Sequence, residues 1–217
     1  MKLVWCPDTA SKAYIETVKS CEVFQESAVA ELVSAMAGGW NPELIVETWY
    51  KGGQITTSVG LAVASRHISG SRHVCIVPDE ETQARYIEEM REACDISPEV
   101  MVGEIEEVMN GLVGIDFLVV DGRRKDFIKA LRLANLSHRG AVLVCKNSGP
   151  RSYSGFRWRN VVDSGSRIVR SASLPVGQGV EIAYVATGRG SSSAGKGASR
   201  WVRHIDHESG EEHVYRR

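Results

Sequence analysis

Ile115-Asp116-Phe117-Leu118-Val119-Val120-Asp121-Gly122 is the stretch whose reading decides the fold. A nearly continuous apolar run that stops at Asp-Gly predicts a strand buried on both faces and delivered into a turn. The run from Arg124 to Leu136 follows, with Phe127, Ile128, Leu131 and Ala134 on one helical stripe. Ala141-Val142-Leu143-Val144-Cys145 is another buried strand. Strand, amphipathic helix, strand is the unit of a parallel sheet, and its crossover is right-handed.

The same rhythm extends upstream. Leu44–Glu47 predicts a first strand, Gly52-Gly53 a turn, and Thr56–Arg66 a helix. His73–Val77 is a second strand, closed by Pro78-Asp79. The helix Glu80–Ala93 carries its acids in the first turn, where the helix dipole favours them. Val100–Val102 is a short third strand, and Glu104–Met109 a short helix. Before the first strand, Ala10, Tyr14, Thr17 and Cys21 form one helical stripe. Val29, Leu32, Val33 and Met36 form a second, which Gly38-Gly39 is expected to stop.

Downstream the rhythm changes. Lys146–Asn160 reads as a polar loop. Two strands, Gly165–Pro175 and Gly179–Ala186, follow with no helix between them, which predicts an antiparallel hairpin at the sheet edge. The expected fold is α/β: a doubly wound, mostly parallel Rossmann-like sheet with an antiparallel edge hairpin. Residues 1–186 form one domain with N-terminal helices in 1–40. Residues 187–200, rich in Gly and Ser, form a flexible linker, and 201–217 a terminal hairpin or tail.

The chain of 217 residues suits one α/β domain, and its hydrophobic share of 43% and charged share of 24% are ordinary for a globular protein. The apolar runs are too short to span a bilayer, and the N-terminus lacks the pattern of a signal peptide. The expectation is a cytoplasmic protein, with the nucleus as the alternative, and no membrane partner. Cys6, Cys21, Cys75, Cys94 and Cys145 contain no Cys-x-x-Cys pair, which agrees with an intracellular home. The net charge of −1 conceals an asymmetry: residues 1–115 carry 8 Lys+Arg against 18 Asp+Glu, residues 116–217 carry 18 against 9.

In an open parallel sheet, ligands bind beyond the carboxyl ends of the strands, at the point where strand order reverses. Four predicted strands end at or beside an acid: Glu47, Asp79, Glu104 and Asp121. Asp79 is suited to accept from ribose hydroxyls. The helix after Gly52 and Gly53 opens with free N–H groups that suit an anion, with Thr56 and Thr57 beside them. The same acids also serve as helix caps in this topology.

These residues resemble a class I S-adenosylmethionine-dependent methyltransferase of the caffeoyl-CoA O-methyltransferase type, over about residues 26–186. The resemblance implies S-adenosylmethionine as cofactor, bound by Glu47, Gly52, Gly53, Thr56, Asp79 and Glu104. It puts Asp121 and Lys146 on the acceptor side as the catalytic candidates. The sequence departs from that pattern twice. Trp49 stands at the first glycine of Glu-x-Gly-x-Gly-x-Gly, where it stacks on a ligand or fills the cofactor pocket. Lys146-Asn147 stands where the caffeoyl-CoA type has an Asp-Asn pair for a divalent metal, so no metal is expected at Asp121. A closer likeness covers the whole chain. Met1–Trp5, Ala10–Tyr14, Val119-Val120-Asp121 with Arg123–Phe127, and Gly155–Arg159 are similar to the plant family called domain of unknown function 1442. That family is regarded as methyltransferase-like.

Other signals compete. Lys146, Arg151, Arg157, Arg159, Arg167 and Arg170 are interleaved with Tyr153, Phe156 and Trp158, a pattern that suits nucleic acid or an anionic small molecule. Its structural alternative is an ordered loop whose aromatics pack on the sheet and whose arginines pair with the acidic half. Arg123-Arg124-Lys125 opens a helix beside Asp121, which favours a structural or substrate-facing role over a localisation signal. His204, His207 and His213 near Asp206, Glu211 and Glu212 match no strong zinc spacing. The sequence supports three functions: a methyltransferase of a small-molecule acceptor, a methyltransferase fold kept as a binding module without transfer, and a nucleic-acid-associated protein using 146–170. A pocket plugged by Trp49 separates the second from the first. Burial of the arginines in ion pairs would remove the third. The oligomeric state is left open.

Overall fold

A computed structural model describes residues 5–24, 26–149, 156–162 and 166–187, together with the backbone of 201–205 and 212–216. In chain order, the elements are α1 (Pro7–Ser20), α2 (Ala28–Trp40), β1 (Leu44–Thr48), α3 (Thr56–Arg66), β2 (Arg72–Val77) and α4 (Glu80–Ala93). Then come β3 (Glu99–Val102), α5 (Ile105–Gly111), β4 (Val113–Ile115), β5 (Phe117–Asp121), α6 (Phe127–Leu133), β6 (Asn135–Leu136) and β7 (Ala141–Lys146). A 3-10 turn at Trp158–Asn160 precedes β8 (Ser166–Leu174) and β9 (Val180–Thr187). Finally β10 (Trp201–Ile205) pairs antiparallel with β11 (Glu212–Arg216). The linker assigned to 187–200 lies, beyond Thr187, outside the described residues, as do His207 and Glu211.

Seven strands form one sheet in the order β3-β2-β1-β5-β7-β9-β8. The first five are parallel, and β9 runs antiparallel between β7 and β8. This is the doubly wound architecture with an antiparallel edge hairpin. Strand order reverses between β1 and β5, the switch point where such sheets bind ligands.

Alternation along the strands divides the core. Val46, Leu118 and Leu143 face the layer of α5 and α6, with Phe127 and Leu131 packed on them. Ile45, Phe117, Val119, Val142 and Val144 face the layer of α1–α3. Near β2 the same face holds Trp49, Val59, Cys75, Val77 and Tyr86, which brings α4 into that layer.

Three boundaries differ from the sequence reading. The α2 helix runs through Gly38 and Gly39 and ends at Asn41, whose left-handed conformation (φ 57°) closes it. Gly38 serves close packing instead: a Cβ there would lie 2.7 Å from the Thr9 carbonyl oxygen of α1. The strand read as Ile115–Val120 is two strands separated by Asp116. Its buried carboxylate accepts from the Glu43 and Leu44 N–H groups at 2.8 and 3.1 Å and from Arg139 at 3.1 Å. This clip holds the start of β1 in register with β5. The helix read from Arg124 is shorter, because Arg124 is drawn out of it and Asn135–Leu136 pair with β4.

Candidate functional site

Glu47, Asp121 and Lys146 stand near the carboxyl ends of β1, β5 and β7, on the face that α3 covers. Asp121 and Lys146 are register partners, and Glu47 is level with Val119. All three are at most 3% exposed. A buried charge must be paired or hydrogen-bonded to be tolerated, and each of these finds its partners within the chain.

Glu47 accepts three hydrogen bonds: from Ser58 Oγ at 2.9 Å, from Tyr86 Oη at 2.9 Å and from His73 Nε2 at 3.0 Å. Burial alone would raise its pKa. The His73 hydrogen bond and charge, the Lys146 ammonium and Ser58 outweigh burial and hold the carboxyl below its ordinary value. An ionised Glu47 only accepts, so His73 donates from Nε2, and Nδ1, buried, has no partner among the described residues. Lys146 Nζ donates to Thr57 Oγ1 at 3.2 Å. Asp121 accepts from the Arg123 N–H at 2.9 Å and from Asn147 Nδ2 at 2.8 Å. Asn147 is left-handed at φ 57°, a conformation asparagine tolerates better than most residues, and the turn keeps its amide beside Asp121. With both Asp121 oxygens taken and a buried lysine on the neighbouring strand, these residues do not fit a divalent metal. Among the described residues, no group of three or more His, Cys, Asp and Glu side chains is arranged to hold one.

The other strand-end residues lie outward. Asp79 is exposed and caps α4, its Oδ1 accepting from the Thr82 N–H at 2.7 Å; that bond lowers its pKa. Glu104 is exposed and precedes α5 without a side-chain cap bond. Gly52 is exposed and left-handed at φ 85°, and the Gly53 N–H donates to the Tyr50 carbonyl at 2.8 Å. Thr56 is turned toward the Glu26 carbonyl, 3.5 Å away.

The turn after β1 is filled and latched. Trp49 is 1% exposed and packs edge-on against Tyr86, with ring centroids 5.2 Å apart. A Cβ on Gly53 would stand 3.0 Å from the Tyr50 carbonyl oxygen and 3.3 Å from the indole nitrogen, so this glycine packs closely over Trp49. The Trp49 carbonyl accepts from Arg124 at 2.8 Å, and Arg124 is itself held by both oxygens of Asp126, at 2.7 and 2.5 Å. Arg124 therefore bridges the turns after β1 and β5 across the switch point. Lys51 pairs with Glu81 of α4 at 2.5 Å. The phenol of Tyr50 has its pKa raised by burial and by Asp121.

The strand-end acids lie at the carboxyl ends of the strands, as the sequence predicts. Sequence reasoning missed Ser58, His73 and Tyr86 as the partners of Glu47, and it missed Arg124 as a latch. A histidine opening an apolar strand was the available signal for His73; nothing local marked Arg124.

The thiols give no catalytic candidate in this site. Burial pushes Cys145 up to about 12 and Cys21 up to about 11, and carries Cys75 well above its ordinary value. At Cys6, hydrogen bonding with Thr9 lowers the pKa. Alkylation with iodoacetamide at neutral pH is expected to modify Cys6 first, and Cys75 and Cys145 only after unfolding, as read by peptide mass spectrometry.

The sheet order and edge hairpin define a Rossmann-like fold of the methyltransferase class, and comparison with solved structures agrees. The chain is similar to a methyltransferase from Geobacter sulfurreducens (TM-score 0.55, 22% identity, 81% of this chain and 88% of that one). It is also similar to a Podospora anserina methyltransferase bound to SAH (0.54, 15%, 84% and 89%). A third is a Bacillus cereus O-methyltransferase in complex with SAH (0.53, 16%, 84% and 93%). At these identities the likeness establishes the fold. The chain belongs to the family described as "Protein of unknown function (DUF1442)", whose model matches residues 1–217. No curated protein matches the sequence.

Proposed function

We propose that this protein is a methyltransferase fold kept as a small-molecule binding module, without methyl transfer in the conformation described. One observation carries the proposal: Trp49, at the position of the first glycine in the resembled cofactor loop, is buried in the core and covered by a turn that Arg124 latches. Close backbone approach to S-adenosylmethionine needs that turn to be open. The residues present therefore do not fit the cofactor in this state, and Glu47 has its carboxylate occupied by Ser58, His73 and Tyr86. Gly52, Asp79 and Glu104 remain exposed beyond the strand ends, and a small molecule seated beside them is the partner we propose. A cytoplasmic workplace is part of the same proposal.

A second reading has support of its own. The fold likeness to SAH-bound methyltransferases and the exposed Asp79 at the end of β2 favour S-adenosylmethionine binding, with Asp121 and Lys146 toward the acceptor. Calorimetric titration with S-adenosylhomocysteine separates the two. The binding-module reading expects no heat of binding with the wild type and binding gained in Trp49→Gly. Arg124→Ala removes the latch while sparing the core, and tests the same point should the glycine variant unfold. Wild-type binding that is lost in Asp79→Ala would overturn the proposal in favour of the methyltransferase.

A further inference from the structure

One edge strand of the sheet is β8, far along the strand order from the turn at Trp49. Between β8 and the 3-10 turn lies a groove of about 850 Å³. Arg157, Arg159, Arg167 and Arg170 line it, and all four are exposed. None of them makes an ion pair or side-chain hydrogen bond with a described residue. The expected pairing of these arginines with the acidic half of the chain is therefore absent among the described residues. Glu181 is the one acid in the lining among the described residues.

A second observation points the same way. Trp158, also in the lining, is 5% exposed, and its indole N–H is buried without an acceptor among the described residues. A buried donor left unpaired costs about 1–3 kcal/mol, so a ligand acceptor that meets it is favoured. Arg132 holds the turn in place through the Asn160 carbonyl at 3.1 Å. Grouped guanidinium ions repel one another unless an anion sits among them, and their planar forks match phosphate oxygens in pairs.

We infer that this groove binds a small phosphorylated anion carrying two or more phosphate groups. The groove volume falls within the range of about 300–1,000 Å³ usual for small-molecule sites. Single-stranded nucleic acid is disfavoured because the two described aromatic rings of this segment, Phe156 and Trp158, pack on the fold. Phe156 packs on Phe127 at 5.6 Å and on Trp158 at 4.9 Å, which leaves no ring platform among them for stacking bases. The inference is independent of whether the turn at Trp49 admits a cofactor.

Titration of the full chain with sodium tripolyphosphate tests it, with short oligouridine as the comparison. The wild type is expected to bind tripolyphosphate, with affinity falling as salt rises. Arg157→Ala with Arg167→Ala is expected to weaken binding by about tenfold for each arginine removed. Trp158→Phe keeps an aromatic ring in the core and removes the N–H together with part of the ring volume; it is expected to weaken binding by about fivefold while the chain stays folded. Absence of tripolyphosphate binding, affinity indifferent to these variants, or binding of oligouridine alone would overturn the inference.

Discussion

Replacing Glu47 by alanine is expected to destabilise the fold by about 3–5 kcal/mol, the cost of breaking a buried charge network by removing one partner. The variant leaves Ser58 Oγ, His73 Nε2 and Tyr86 Oη facing an empty volume with no acceptor. It also strips Lys146 of the nearby negative charge. Chemical denaturation at neutral pH measures the effect as a lower midpoint with an unchanged slope. The same network makes stability depend on acid. The folded Glu47 pKa lies below its unfolded value of about 4.3. Its contribution is therefore fully present above that value and is lost as pH falls through the folded pKa. The wild type should lose stability steeply in that acid range, and Glu47→Ala should lose this part of the dependence.

Trp49→Ala is expected to cost about 3–5 kcal/mol, the range for removing a large aromatic from a packed core. Two effects oppose each other at this site. The ring fills the space among Ile55, Val59, Val63 and Tyr86, and deleting it leaves a cavity. The indole N–H, however, is buried and has no acceptor among the described residues, and losing it relieves a penalty. Trp49→Phe isolates the second effect, since it keeps most of the apolar volume and removes the donor. Its expected change is below about 1.5 kcal/mol. Thermal or urea unfolding of the two variants side by side measures both. A small cost for Trp49→Ala would mean that the ring is not a structural plug.

The two variants bear on what could be read from sequence. The sheet was legible because Leu44–Glu47, His73–Val77, Phe117–Val120 and Ala141–Cys145 are apolar on both faces, and only a parallel sheet between helical layers buries such strands. The position of the candidate site was legible because topology alone selects the strand ends. Its internal wiring was not. Glu47 and Ser58 lie eleven residues apart, but Glu47 and Tyr86 are brought together across thirty-nine, and no local pattern announces that contact. Trp49 stood out as a departure with two outcomes, and its packing against Tyr86 favours the filled pocket. Arg124 was read into a helix by its neighbours' periodicity. The carbonyl of Trp49, seventy-five residues away, draws it into the turn instead. Gly38 and Gly39 carried a stop signal that a tertiary contact with α1 overrode.

The central claim is that Trp49 and the Arg124 latch close the loop that would otherwise meet S-adenosylmethionine. Its most direct test is nuclear magnetic resonance of the tryptophan indole N–H groups, with Trp49→Phe identifying the Trp49 signal. The account predicts that this resonance keeps its position as S-adenosylhomocysteine is added in excess, because the ring stays buried against Tyr86. A saturable shift of that signal, tracking the titration, would contradict it and return the protein to the cofactor-binding methyltransferases.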